Sequence, residues 1–230
     1  MISDKDIERK AQQLSLSPQE VEKDYVHGWV LKSLFERPAL ARLLVLKGGS
    51  ALRKGYFADT RFTKDLDFSS IEGVDASALE SELREVCATV STRTGVHFLD
   101  KAVVKDKNLR IPGVDAVEAR LYFKGFYNEE NITLKTQLDI TQFDKIHLPV
   151  QSRALIHGYP DADQCQGMIR CQKAEEIIAS KLTTLLHRRK AGDLFDLLYA
   201  TLIAREHQLS RREVVSYSAS IWVRAARQSG

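Results

Sequence analysis

The sequence predicts an α+β fold, with helices first, a mixed or antiparallel sheet through the middle, and a helical C-terminal portion. Three observations predict it. Capped helical patterns fill residues 4 to 36, runs rich in β-branched and aromatic residues recur between residues 96 and 141, and helical spacing returns from Lys173 onward. No internal repeat or low-complexity linker interrupts the chain. Its 230 residues, 43% of them hydrophobic, are enough to bury a core.

Taken in order, Ser17-Pro18-Gln19-Glu20 supplies a cap serine, a proline at the first helical position and a glutamate that completes a capping box. The helix that follows carries Tyr25, Trp29 and Leu34, which are expected in the core. "LARLLVLK" is a compact apolar run that stops at Gly48-Gly49 and reads as a strand, after which "SALRKGYF" resumes helical spacing. "KDLDFSS" reads as a strand, and "DASALESELREVCATVSTRTG" as an amphipathic helix closing at Gly95. "VHFLDKAVV", "VEARLYFKGFY" and "NITLKTQLDIT" are expected to be strands of one sheet. After residue 150 the pattern turns irregular, and "HGYPDADQ" reads as a loop. Asp193 to Arg205 and Arg211 to Arg227 read as further helices.

The charge balance excludes a strongly basic nucleic-acid-binding domain: 34 basic and 31 acidic residues leave +3, so any polyanion site must arise from local clustering. Cys87, Cys165 and Cys171 form no CxxC pair and suggest neither a disulfide framework nor a zinc knuckle. Nor do the six histidines show HExxH or another close ligand spacing. "MISDKDIERK" lacks the apolar region of a signal peptide, and "ALARLLVL" is short and broken by Arg42. A cytoplasmic protein without membrane spans is expected.

The chemistry concentrates in "VLKGGSALRKGYFADTRFTKDLDFSS". Asp65 and Asp67 are two apart, which on a strand sets both carboxylates on one face about 7 Å apart. Like charges that close call for a cation, and Mg²⁺ is typically held by one or two carboxylates together with substrate phosphates. An isolated Asp-x-Asp more often describes surface chemistry at a strand edge. The context here weakens that reading: Gly48 and Gly49 let backbone approach a phosphate, Ser50 sits where a helix begins, and Arg53 and Lys54 add charge one turn later. Asp139 is the favoured third carboxylate, since Lys135, Gln137 and Asp139 alternate onto one strand face; that face is otherwise merely solvated, and Asp144 is the substitute.

"KGGSALRKGY" followed by "RFTKDLDFS" resembles the nucleotidyltransferase signature, and in detail the AbiEii/AbiGii toxin family, which includes the MenT-type tRNA-modifying toxins. "KAEEIIASKLTTLLHRRKAGDLFDLLYA" is similar to that family's second signature. The resemblance spans roughly residues 20 to 205. It implies a polymerase-β-like nucleotidyltransferase core with N-terminal helices over 1–150, and a helical portion over 151–230 that completes the active site. Gly192 stands where the family commonly has arginine, so one phosphate or RNA contact of the family is either missing or supplied by Arg188, Arg189 or Lys190. On the residues alone, Lys181, Thr184 and Arg188 form a polar helical stripe suited to a triphosphate or an RNA backbone. Asp193 and Asp196 share a helix face; they read either as groups orienting the lysine or as an ion-pair cluster between packed helices. The resemblance favours Lys181 and Asp193 as active-site residues, with Lys173 less favoured.

The resemblance thus implies transfer of NMP from an NTP to an acceptor hydroxyl. Asp65, Asp67 and Asp139 would hold Mg²⁺ or Mn²⁺. Gly48, Gly49, Ser50, Arg53, Lys54, Arg188 and Asp196 would serve the nucleotide, and Lys181 would neutralise phosphate charge. It further implies that the acceptor is a tRNA 3′ end, that the transfer arrests growth as part of a toxin-antitoxin or abortive-infection system, and that a cognate antitoxin exists. "HRRK" at 187–190 and the arginines at 211, 212, 224 and 227 are candidates for RNA contact, or equally a solvated helix face. Transfer to a protein hydroxyl, γ-phosphate transfer, and a silent nucleotide- or RNA-binding module are the competing readings.

Overall fold

The computed structural model describes residues 2–108, 115–129, 132–204 and 208–228, apart from the side chains of 100–102, 106–108, 129, 186–188 and 222–228. The N-terminal helices are α1 (Asp4–Leu14) and α2 (Pro18–Glu36), each opened by a reciprocal capping box, Ser3 with Asp6 and Ser17 with Glu20. Tyr25, Trp29 and Leu34 on α2 are buried as expected. The apolar run at 40–47 divides differently from the expectation. Pro38 starts a short helix, α3 (Pro38–Leu43), because its fixed φ suits a first helical turn, and only β1 (Leu44–Lys47) is strand.

α4 (Gly48–Ala51) follows directly and runs into a π-turn over Leu52–Tyr56. Next come β2 (Asp65–Ser70), α5 (Ala76–Thr94), β3 (Phe98–Asn108), β4 (Asp115–Lys124) and β5 (Thr133–Thr141). Gly95 closes α5 in the left-handed conformation, as its sequence suggests. The irregular stretch after residue 150 holds two strands that sequence reading missed, β6 (Gln151–Ala154) and β7 (Met168–Cys171). Helices α6 (Ala174–Arg188), α7 (Ala191–Leu198) and α8 (Arg211–Gln228) complete the chain, α7 continuing as a π-turn over Tyr199–Ile203. Arg205, the expected end of that helix, lies outside the described residues.

The strands form one mixed sheet in the order β3-β4-β5-β2-β1-β7-β6. β2 and β5 run parallel, as do β1 and β7, and the remaining neighbours are antiparallel. Strand alternation divides the faces. Leu46, Leu66, Phe68, Val117, Ala119, Leu138 and Ile140 are fully buried on one side, where α2 and α5 pack. The opposite face is polar along β1, β2, β5 and β4. Because β7 joins β1, the stretch beyond residue 150 contributes strands as well as helices to this sheet.

Candidate active site

The strand registers set the site. Lys47 pairs with Asp67, Asp67 with Asp139 and Asp139 with Glu118, so these four side chains form one row across β1, β2, β5 and β4. Asp65 lies opposite Gln137 in the next row. The fold thus brings Asp139, far along the chain, directly beside Asp67. Gln137, unassigned from sequence, donates through Nε2 to both Asp139 oxygens at 3.2 and 3.3 Å and to Glu118 at 3.0 Å. That amide fixes the orientation of the Asp139 carboxylate. Asp144 also lines the cleft, where its Oδ2 accepts from Lys47 Nζ at 2.7 Å and from the Ser69 hydroxyl at 2.5 Å.

Burial raises the Asp67 carboxyl, and the charges of Asp139 and Asp65 add to the shift while Lys47 and Lys181 oppose it, leaving it at about 6. The carboxyl is raised chiefly because burial disfavours its charged form, with the neighbouring carboxylates adding to that. Among the described residues no three His, Cys, Asp or Glu side chains converge as a closed metal cage. Asp65, Asp67 and Asp139 nevertheless make an all-oxygen donor set open to a cleft, which fits a hard divalent cation that completes its shell with water and phosphate.

Gly48 and Gly49 face that cleft, which measures about 1050 Å³. Gly48 has φ +64°, and a Cβ there would stand 3.0 Å from Asp67 Oδ2, so only glycine lets the loop cross so near the carboxylate. Other sequence-chosen residues lie elsewhere. The Ser50 hydroxyl is buried; it donates to the Lys47 carbonyl at 2.9 Å and accepts from the Asp67 amide at 3.2 Å. Its single donor is used there, and the two bonds tie the loop to β2. Arg53 and Lys54 are buried against Asp24 of α2, at 2.8 and 3.0 Å, and do not line the cleft. They belong to the core because the π-turn points them at α2.

On the opposite wall Lys181 lines the cleft, held by Asp193 at 3.0 Å and Asp196 at 2.7 Å. Both aspartates are buried. Asp196 lies behind the wall, paired with Lys181 and Arg61, and does not itself line the cleft. Arg61, which sequence reading passed over, makes a fork-to-fork pair with Asp196 at 2.8 and 2.7 Å. Its guanidinium fills a slot between two glycines. A Cβ on Gly49 would stand 2.9 Å from it and one on Gly192 3.2 Å, so Arg61 occupies the space that Gly192 leaves open. Arg61 and Lys190 both line the cleft beside Gly192. The Arg188 and His187 side chains, like those of Arg224 and Arg227, lie outside the described residues. Arg211 and Arg212 are exposed, and Lys173 pairs with Glu213 at 2.6 Å.

The family described as "Nucleotidyl transferase AbiEii toxin, Type IV TA system" matches residues 29–216. The chain belongs to the AbiEii family. It is therefore a nucleotidyltransferase of a type IV toxin-antitoxin family, for which an NTP substrate and a cognate antitoxin follow. Two solved structures from Helicobacter pylori are similar to it. JHP933 is 25% identical with a TM-score of 0.53, over 81% of this chain and 68% of that one. A second, described as a candidate nucleotidyltransferase, is 24% identical with a TM-score of 0.52, over 81% and 71%. No curated protein matches the chain. Among the described residues no helix is long and apolar enough to cross a membrane.

The Arg61 clamp of this AbiEii chain has a measurable consequence. Arg61→Ala leaves the buried Asp196 with Lys181 alone, and a stability loss of about 2 kcal/mol is expected in urea unfolding. Adding Gly192→Arg should recover part of it. An unchanged midpoint in Arg61→Ala would show that the pair does not hold the loop.

Proposed function

We propose that the chain transfers NMP from an NTP to the 3′-terminal hydroxyl of a tRNA and arrests growth by doing so. The observation that carries this reading is the opposition of Asp67 and Asp139 across β2 and β5, with Asp65 one row away, beneath the Gly48-Gly49 loop. Asp65, Asp67 and Asp139 would hold a divalent cation, which when bound supplies charge neutralisation at the reacting phosphate. The backbone of Gly48 and Gly49 cradles the β- and γ-phosphates, and Lys181, aimed by Asp193 and Asp196, balances their charge. The acceptor oxygen forms a bond to Pα as the bridging Pα–O bond breaks, and pyrophosphate departs with the electron pair. The acceptor proton passes to an Asp139 oxygen, whose carboxylate Gln137 holds in place. Lys23, Lys64, Lys145 and Lys190 line the same cleft, a local cationic rim in an otherwise balanced chain, and suit a polyanionic acceptor.

Incubation with total tRNA, Mg²⁺ and each of four α-labelled NTPs tests the proposal. Label is expected in RNA with one or two of the nucleotides, absent in Asp65→Ala, and sequencing should place it at the 3′ end. α-Label in protein would move the acceptor to a polypeptide, γ-label would make the reaction phosphate transfer, and unlabelled products throughout would overturn the reading.

A further inference from the structure

Besides its carboxylates and lysines, the cleft is lined by the neutral side chains of Gln172, after β7, and Tyr217, on α8. Gln172 directly follows β7, where Cys171 pairs with Leu46 in parallel register. Leu46 and Cys171 are buried on the apolar side, so alternation puts the next residues, Lys47 and Gln172, on the polar face with Asp67 and Asp139. The row of polar side chains therefore continues onto a fifth strand. Both backbone groups of Gln172 are fixed: its amide donates to the Leu46 carbonyl at 2.8 Å, and its carbonyl accepts from the Tyr56 hydroxyl at 2.9 Å. The residue is 9% exposed and lines the cleft, and among the described residues its side-chain amide has no hydrogen-bond partner. A carboxamide held at a cleft wall and turned toward the cleft is free to pair with what enters it.

Tyr217 lines the same cleft from α8. The start of α8 is tied beside Gln172, because Lys173 pairs with Glu213 at 2.6 Å and the Ser210 amide donates to Glu175 at 3.0 Å; Tyr217 lies one turn beyond Glu213. His147 backs the tyrosine ring with centroids 5.0 Å apart. The His147 backbone is itself pinned, its amide donating to the buried Glu176 at 3.0 Å. The site thus combines a held aromatic ring with a neutral group that both donates and accepts. Two strand spacings, about 10 Å, separate Gln172 from Asp67, leaving room for a ribose between the reacting phosphate and the amide.

We propose that Gln172 and Tyr217 form the subsite for the base of the incoming NTP, Tyr217 stacking on its face and Gln172 reading its hydrogen-bonding edge. The inference rests on the NTP-transfer reading above and adds where nucleotide choice is made. A carboxamide offers one donor and one acceptor side by side, a pattern that matches one base edge and leaves another unpaired. Stacking on a ring tolerates every base. Gln172 therefore sets preference, and Tyr217 sets affinity.

Calorimetric binding of the four NTPs to the full chain in Mg²⁺, without RNA, tests this, with inorganic tripolyphosphate as the probe that lacks a base. Tyr217→Ala is expected to weaken every NTP by about tenfold, with Tyr217→Phe near wild type and tripolyphosphate unchanged in both. Gln172→Ala should compress the spread among the four NTPs. Gln172→Glu, which only accepts, should move preference toward bases with an exocyclic amino group and away from uracil. Equal losses for tripolyphosphate and NTPs, unchanged NTP binding in all variants, or an effect confined to the acceptor KM would overturn the subsite. A wild-type protein that transfers α-label while these variants keep its nucleotide preference sinks the subsite alone; one that binds neither NTP nor tripolyphosphate sinks the transfer reading with it.

Discussion

Asp67→Asn is expected to abolish nucleotide transfer and, at pH 8, to make the protein harder to unfold. The activity loss should be at least about 10³-fold, because the substitution removes a charge from the centre of the carboxylate set. The gain in stability follows from the raised carboxyl. Asp67 titrates at about 6 in the folded protein against an ordinary 3.8, so the native state binds that proton more tightly than the unfolded chain does. Above pH 6 the ionised carboxylate therefore costs stability, on the order of 1–2 kcal/mol for a half-buried group. Below about pH 4 both states are protonated and the cost vanishes. Thermal unfolding should show the variant melting above wild type at pH 8 and alongside it at pH 4. Mg²⁺ should raise the wild-type midpoint at pH 8 and leave the variant nearly unmoved. A variant that melts lower at pH 8 would mean that Asp67 is a structural partner and that the three aspartates are not held in mutual repulsion.

The elements that chemistry requires were largely legible because their signals are local. The Ser17 to Glu20 capping box starts α2, Gly95 ends α5, and Asp65 and Asp67 alternate on β2, each decided within a few residues. Asp139 was legible as a polar residue on a strand face, but its register opposite Asp67 depends on a parallel pairing between distant segments that no local pattern encodes. The four-residue strands β6 and β7 are too short to carry a period. Arg61 sits in a connection with no periodicity, and its slot is visible only once Gly49 and Gly192 face one another. Arg53 and Lys54 misled for the converse reason. Charges one turn after a glycine loop read as phosphate ligands, whereas the clue lay in α2, where Asp24 stands among apolar residues and needs a cation inside the core.

Asp24→Ala is expected to give the largest stability loss in the molecule. Asp24 Oδ1 meets Arg53 Nε at 2.8 Å and Lys54 Nζ at 3.0 Å, while Oδ2 accepts from the Tyr159 hydroxyl at 2.8 Å. Burial alone would raise this carboxyl, but Lys54 and Arg53 outweigh burial and hold it well below the usual carboxylate range, so it is ionised at neutral pH. Its stabilisation is complete above the ordinary value of 3.8 and is lost only as acid titrates it below that. Removing the carboxylate leaves two cations buried without it, and breaking such a cluster costs about 3–5 kcal/mol. In a chain of this size that amounts to a fall in midpoint of roughly 10–15 °C. Asp24→Leu combined with Arg53→Met and Lys54→Met should recover most of the loss, since an apolar replacement of similar volume leaves no charge unpaired. The recovered triple variant also separates core from cleft. If Arg53 and Lys54 serve only α2, its tripolyphosphate affinity equals wild type; a tenfold weakening would return them to the phosphate site.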